Sequence, residues 1–153
     1  KKKSSLKEEK KLINWLLTKE KVLKVNESKT FINFFKKCKK QKKILVDLLK
    51  NLKDMKKKVY GYGASTKGNV ILQFCKIDSK LINYIGEVNK YKFNRYTPGT
   101  KIKIISEQKL RKLKPDYLLV LPWHFKNFIL EKEKKYLDSG IKFIFPLPEI
   151  EIV

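Results

Sequence analysis

The spacing of apolar residues predicts two helices at the start of the chain. In the first segment the apolar residues share one helical face and are Leu6, Leu12, Ile13, Leu16 and Leu17. A capping-box pattern, Ser5-x-x-Glu8, introduces them and predicts a helix over residues 5–18. A second stripe predicts a longer helix over residues 30–56, and its members are Phe31, Phe34, Phe35, Cys38, Leu45, Leu48, Leu49, Leu52 and Met55. We expect this stripe to pack against the rest of the protein, with lysines on the opposite, solvated face.

From Lys58 onward, short apolar runs alternate with amphipathic segments. The runs predict strands at residues 59–62, 81–88, 117–121 and 143–145, and a further extended segment at 101–105. Helices are predicted between them, at 65–75, 107–113 and 125–137. This alternation is typical of a parallel sheet covered by helices. The predicted fold class is α/β, a Rossmann-like, mainly parallel sheet with flanking helices and an N-terminal helical arm. Residues 1–57 form the arm in this interpretation, and residues 58–153 form the sheet domain.

The composition indicates a folded domain rather than a disordered or membrane-spanning chain. Apolar residues make up 42% of the chain, which is enough to fill a core. No apolar run approaches the roughly 20 residues of a membrane span. No apolar h-region follows the basic start, so a signal peptide is not expected. Cys38 and Cys75 lack CxxC spacing, so neither a disulfide framework nor a zinc site is expected, and the cytoplasm is the simplest location. The first residue is Lys rather than Met, which suggests a fragment of a longer protein.

The net charge of +23 would attract a polyanion such as nucleic acid. Of the 38 basic residues, however, only Arg95 and Arg111 are arginines. Proteins that read nucleic acid usually use arginine for bidentate contacts. The excess of lysine, together with many Asn, Ile and Phe residues, is more typical of an AT-rich genome. Nucleic-acid binding therefore stays an alternative that rests on charge alone.

A glycine-rich turn follows the first predicted strand and opens a helix. It reads GYGASTKGN over residues 61–69. Glycines permit close backbone approach, and free N–H groups at a helix start point toward a phosphate. Lys67 adds a positive charge there, and Ser65 and Thr66 add hydroxyl donors. The spacing departs from GxGxxG, because the third glycine comes two residues late, and the P-loop pattern is absent. A phosphate site and a merely tight turn both fit this pattern.

Three further segments lie near predicted strand ends. Glu87 stands where a Rossmann unit places an acid that binds ribose hydroxyls, although an ordinary solvated glutamate fits equally well. NAD binding is the natural competitor at this point. Residues 95–100 contain Pro and Gly and predict a turn, whose many donors could cover a ligand, although a purely structural turn fits equally well. The segment 121–124 ends a strand with Trp123 and His124, which could stack on a base and bind a phosphate, or simply begin a helix. With one histidine in the chain, neither a Ser-His-Asp triad nor a metal site can be assembled.

Three motifs together resemble the C-terminal domain of bacterial sugar-nucleotide C-methyltransferases, the S-adenosylmethionine-dependent family that makes branched deoxysugars. The motifs are GYGASTKGN at 61–69, YTPGT at 96–100 and DYLLVLPWH at 116–124. The closing segments GIKFI at 140–144 and PLP at 146–148 also fit. The resemblance covers essentially the whole chain, and the order and spacing of the motifs make chance agreement improbable.

The resemblance implies a domain that holds a nucleoside-diphosphate sugar and no longer binds a dinucleotide. In the family, a zinc-binding segment and the S-adenosylmethionine-binding domain come first, so zinc, the methyl donor and the catalytic base are expected outside this chain. The substrate-binding residues implied here are Gly61, Tyr62, Gly63, Ser65, Lys67, Gly68, Asn69, Glu87, Lys92, Tyr96, Thr97, Pro122, Trp123 and His124. Family members often have histidine where Lys101 stands, so that contact is not carried over.

The leading interpretation is therefore a substrate-binding domain of a C-methyltransferase that is inactive alone and does not bind S-adenosylmethionine. Its expected partners are a nucleoside-diphosphate sugar and a methyltransferase domain in cis or in trans, with no membrane and no nucleic acid. The alternatives are a stand-alone dinucleotide- or nucleotide-sugar-binding module, such as an oxidoreductase, and a basic nucleic-acid-binding protein. Lys67→Ala is predicted to weaken binding of a nucleoside-diphosphate sugar about tenfold to a hundredfold.

Overall fold

The computed structural model describes residues 9–153, which fall into two compact units, one up to Lys39 and one from Lys40 onward. Helix α1 spans Lys10–Leu23 and helix α2 spans Ser28–Asp54, so the break between the units lies within α2. The predicted capping box falls outside the described residues. Helix α1 continues beyond the predicted end at residue 18, and stops where Lys24 takes a left-handed conformation with φ 53°.

The apolar stripe of α2 is buried only in the C-terminal half of the helix. Leu45, Leu49 and Leu52 are buried and belong to the core of the second unit. Phe34, in the first unit, is 65% exposed, and Phe31 and Phe35 are at least half exposed. The predicted packing of the whole stripe is therefore wrong for the phenylalanines. Helical periodicity identifies an apolar face but does not say what covers it.

The second unit is built on one six-stranded sheet in the order β3-β2-β1-β4-β5-β6. The strands are β1 Val59–Tyr62, β2 Tyr84–Glu87, β3 Lys103–Ser106, β4 Tyr117–Val120, β5 Lys142–Phe145 and β6 Glu151–Ile152. Strands β1 to β5 pair in parallel, and β6 pairs with β5 in the antiparallel direction. The predicted α/β, mainly parallel sheet is confirmed. Strand β6 was not predicted, because two exposed residues give no burial pattern.

The connections of the sheet contain short helices. They are α3 Thr66–Cys75, α4 Glu107–Lys112, α5 Lys126–Lys132 and α6 Lys134–Asp138, with 3₁₀ turns at Lys90–Lys92 and Trp123–Phe125. The single helix predicted over 125–137 is wrong, because the chain breaks at Glu133, where φ is −103° and ψ is 18°. Strand β2 begins at Tyr84 rather than at residue 81, because the N–H groups of Leu81 and Ile82 bond the carbonyl of Asp78 in a turn. Within residues 9–153, no helix is both long enough and apolar enough to cross a membrane.

The sheet has an apolar core on each face. Leu49, Leu72 and Leu119 lie in the first core, and Leu118, Phe143 and Phe145 lie in the second. Successive side chains of a strand point to opposite faces, which explains why neighbouring residues of β4 enter different cores. The strand order reverses between β1 and β4, since β1 connects onward to β2 on one side while β4 lies on the other. In open parallel sheets this is the place, at the carboxyl ends of the strands, where ligands bind.

Candidate functional site

The glycine-rich turn joins β1 to α3 at the reversal of the sheet. Gly63 has a φ of +76°, and a Cβ atom there would lie 2.8 Å from the ring of Pro122. A Cβ atom on Gly68 would lie 2.4 Å from the Cβ of Leu121 and 2.9 Å from the Oγ of Ser65. Gly68 thus provides the close helix–strand packing that the third glycine supplies in a GxGxxG turn. The two-residue shift changes the spacing without removing that function.

Most backbone donors of the turn are already used. The paired N–H groups are those of Gly63, Ala64, Ser65, Gly68 and Asn69. Ser65 is the N-cap of α3, and its Oγ accepts the bond from the N–H of Gly68 at 2.9 Å. Among residues 9–153, the N–H groups of Thr66 and Lys67 have no acceptor. These are the first two helical amides, which a bound anion would normally occupy.

A cleft of about 270 Å³ lies between this turn and the segment that follows β2. Its wall includes Ser65, Thr66 and Asn69 from the turn, and Lys92 and Arg95 from the facing segment. Both charged side chains in the described wall are cations. The Oδ1 atom of Asn69 is buried and has no hydrogen-bond partner among the described residues. The cleft therefore combines positive charge, open helix-start amides and a polar atom that lacks a partner.

Internal hydrogen bonds fix the two cations of the cleft. The Nζ of Lys92 donates to the carbonyl of Ala64 at 3.0 Å and to Glu87 Oε2 at 3.3 Å. The Nε of Arg95 donates to the carbonyl of Tyr91 at 2.7 Å, which fixes the guanidinium plane and leaves its other N–H groups for a ligand. The resemblance did not carry Arg95 over as a site residue. Its signal in the sequence was that it is one of only two arginines in a lysine-rich chain.

The YTPGT segment shapes one rim of the cleft. Thr97 and Thr100 are buried, their hydroxyl oxygens are 2.7 Å apart, and the N–H of Ile102 donates to the Oγ1 of Thr97 at 2.9 Å. The hydroxyl of Thr97 is therefore engaged inside the turn, although the residue contributes to the cleft wall. Tyr96 is exposed at the same wall and presents its ring to solvent.

A family model described as the C-methyltransferase C-terminal domain matches residues 1–148. The chain belongs to this family. The C-methyltransferase NovU of Streptomyces niveus is 35% identical over 97 residues, which amount to 63% of this chain and 23% of NovU. The matched part of this C-methyltransferase C-terminal domain thus spans under a quarter of the relative's length. The family resemblance found in the sequence motifs is confirmed.

The structure brings together only part of the residue set predicted for this C-methyltransferase C-terminal domain. Ser65, Asn69, Lys92, Tyr96 and Thr97 line one cleft. The remaining predicted residues lie outside its described wall, and they are Gly61, Tyr62, Gly63, Lys67, Gly68, Glu87, Pro122, Trp123 and His124. The glycines and Pro122 pack the turn, whereas Lys67 is exposed at the first turn of α3.

The Trp-His pair follows β4 in a 3₁₀ turn. Trp123 is half-buried and packs against both cores, which ties its ring to the scaffold. His124 is exposed, and its ring centre lies 5.5 Å from that of Trp123 and 4.2 Å from that of Phe125. These rings form an aromatic group at the carboxyl end of β4, where they are available to a larger ligand than the cleft alone would hold.

Tyr62 points to the other face of the sheet, into a buried polar network. Its hydroxyl donates to Glu133 Oε1 at 2.8 Å and accepts from the Nζ of Lys132 at 2.9 Å. Glu133 is 2% exposed and accepts two bonds of 3.2 Å from Arg111. Sequence reasoning assigned Tyr62 to the substrate because it lies in the turn motif. The alternation along β1 instead places its hydroxyl against Lys132 of α5 and the adjoining Glu133.

The network predicts a specific loss of stability at alkaline pH. Burial, followed by the hydrogen bond to Glu133, raises the pKa of Tyr62 well above its ordinary value of 10.0. Below pH 10 the stabilisation is complete. As the pH rises further, the unfolded state ionises first, so the free energy of unfolding falls. We expect Tyr62→Phe to show a shallower decline between about pH 10 and 12 in urea titrations. Tyr91→Phe, at an exposed tyrosine, should follow the parent; equal slopes for all three would contradict the prediction.

Proposed function

We propose that this chain is the substrate-binding domain of an S-adenosylmethionine-dependent C-methyltransferase and that its cleft holds the diphosphate of a nucleoside-diphosphate sugar. The observation that carries the proposal is that Lys92 and Arg95 line the same cleft as Thr66, the first residue of α3, whose amide has no acceptor among residues 9–153. Family membership supplies the methyl-transfer context. A diphosphate is negatively charged and accepts hydrogen bonds. The two sides of this cleft supply positive charge and hydrogen-bond donors, so they suit this ligand.

Each part of the cleft has a role in this proposal. The N–H groups of Thr66 and Lys67 bind one phosphate at the positive end of the α3 dipole. Arg95 binds phosphate oxygens with the planar donors that its bond to Tyr91 leaves open. The Oδ1 atom of Asn69, which is buried and has no partner among the described residues, accepts from a ligand hydroxyl.

In this proposal, methyl transfer requires a second domain in addition to this chain. The methyl donor, the zinc-binding segment and the catalytic base belong to a methyltransferase domain that acts in cis or in trans. Trp123 and His124, on the same edge of the sheet as the turn, border the nucleotide or the sugar. The substrate class is a sugar nucleotide in which a carbon next to a keto group accepts the methyl group.

We expect Arg95→Ala to weaken binding of a thymidine diphosphate-sugar about tenfold to a hundredfold, because charge-assisted hydrogen bonds contribute roughly 1.5–3 kcal/mol. Lys67→Ala should weaken it about tenfold, at the lower end of the range expected from the sequence, because the ammonium is exposed and screened by solvent. Isothermal titration calorimetry measures both changes.

The control for this titration is Lys39→Ala, which removes an exposed lysine of α2 outside the cleft. It should bind like the parent. If Lys39→Ala loses as much affinity as Arg95→Ala, diffuse attraction by the basic surface explains the binding and the proposed cleft is wrong. A parent protein that binds no nucleoside-diphosphate sugar would also overturn the proposal.

A further inference from the structure

Glu87 is a buried carboxylate whose two oxygens are both engaged by the protein. The residue ends β2 and is 7% exposed. Its Oε1 accepts from the N–H groups of Val88 at 2.8 Å and Asn89 at 3.0 Å. Its Oε2 accepts from the N–H of Ala64 at 3.0 Å and from the Nζ of Lys92 at 3.3 Å. A carboxylate offers about four lone-pair sites, so four donors leave little capacity for a ligand.

These bonds connect Glu87 to both sides of the cleft. Ala64 lies in the glycine-rich turn, and its N–H is held by the carboxylate while its carbonyl accepts from Lys92 at 3.0 Å. Lys92 belongs to the facing wall of the cleft. An ammonium has three donors, and two of them are used in these contacts. The third donor of Lys92 is available to the cleft, in a direction that Glu87 and Ala64 fix.

This arrangement differs from that of a dinucleotide-binding domain. There, an acid at the end of the second strand accepts hydrogen bonds from the ribose hydroxyls. Glu87 occupies the corresponding place in the chain but is absent from the described wall of the cleft. Its acceptors face the turn and Lys92 instead.

We propose that Glu87 is a positioning residue, which fixes the glycine-rich turn and directs the Lys92 ammonium into the cleft, and that it does not bind the nucleoside ribose. The part of this inference that concerns the ligand rests on the proposed function. One consequence is a specificity: Glu87 gives the site no preference between a ribonucleoside and a 2′-deoxyribonucleoside diphosphate. A second consequence is that Glu87, at the position of the acid that binds the ribose of NAD in dinucleotide-binding domains, is not available to bind NAD.

The first test uses Glu87→Gln and two ligands that differ only in the 2′-hydroxyl, thymidine diphosphate-glucose and its ribothymidine counterpart. In either orientation the new NH2 group faces two donors, which are either the N–H of Ala64 and the ammonium of Lys92 or the N–H groups of Val88 and Asn89. We expect the affinity for both ligands to fall by the same factor, about tenfold. A loss confined to the ribose ligand would show that Glu87 binds the 2′-hydroxyl and would overturn the inference.

The second test needs no ligand and therefore separates this inference from the proposed function. Amide hydrogen exchange of the full chain should show that Ala64 is protected in the parent and exchanges at least tenfold faster in Glu87→Gln. Glu87→Asp, which keeps the charge but is too short to reach Ala64, should give the same change if the Gln variant does not fold. An unchanged exchange rate at Ala64 would overturn the inference, even if the parent binds the sugar nucleotide.

The control is Glu107→Gln, at a carboxylate that is also largely buried but pairs with Arg111 and Lys132 on the other face of the sheet. It should leave both the ligand affinity and the exchange rate at Ala64 unchanged. If Glu107→Gln raises the exchange rate at Ala64 as much as Glu87→Gln does, general loosening of the fold accounts for the effect and the specific role of Glu87 is refuted.

Discussion

Arg111→Met should lower the free energy of unfolding by about 3 kcal/mol, because it leaves the Glu133 carboxylate buried without its main partner. Breaking a buried ion pair from one side typically costs about 3–5 kcal/mol. We take the lower end because Lys132 stays 3.3 Å from the carboxylate and because Arg111 itself is partly solvated. Methionine keeps much of the packing of the arginine side chain over the ring of Tyr136. Urea unfolding measures the change.

Two further variants show whether the stranded charge is the cause. Lys112→Met alters the neighbouring exposed residue of α4 and should change the stability by no more than about 0.5 kcal/mol. Adding Glu133→Gln to Arg111→Met removes the unpaired charge and should restore part of the lost stability. If the double variant is less stable than Arg111→Met by the full effect of Glu133→Gln alone, the two residues are not coupled and the interpretation fails.

The sheet was predictable because its buried strands coincide with short runs of consecutive apolar residues. Residues 117–121 are apolar without interruption, and β4 is buried on both faces. Ser65 before the third helix is a local cap signal, and its side chain does cap α3. By contrast, Glu133, where α5 ends, is a buried carboxylate that bonds Arg111, which lies 22 residues away in the chain. A local pattern contains no information on that partner.

The candidate cleft lies where the sequence motifs predict a site, but only part of the predicted residue set lines it. The turn at 61–69 and the segment around Tyr96 were found from glycine spacing and family motifs, and both face the cleft. Motif membership could not decide which way a side chain of the motif points. Tyr62 bonds Glu133 on the far face, and Glu87 bonds the turn rather than lining the cleft. Arg95 was missed as a site residue, because its role depends on a fold-back bond to Tyr91 that no spacing rule predicts.

The apolar stripe of α2 is a further case in which a local pattern does not show what covers a side chain. One pair of variants tests the difference between its buried leucines and its exposed phenylalanines. Leu49→Ala should lower the free energy of unfolding by about 2–5 kcal/mol, because the side chain is buried in the core of the second unit and truncation leaves a cavity. Phe34→Ala, on the same helix, should change it by no more than about 0.5 kcal/mol, because the ring is exposed.

Guanidinium unfolding of both variants, monitored by the fluorescence of Trp123 in the second unit, measures the two effects. Replacing Trp15 with Phe in every protein, the parent included, leaves Trp123 as the single tryptophan and restricts the signal to that unit. A loss for Phe34→Ala as large as that for Leu49→Ala would mean that the phenylalanine end of the stripe is covered in solution. That result would contradict the prediction for Phe34→Ala. A small change for Phe34→Ala confirms instead that the core begins at the leucines.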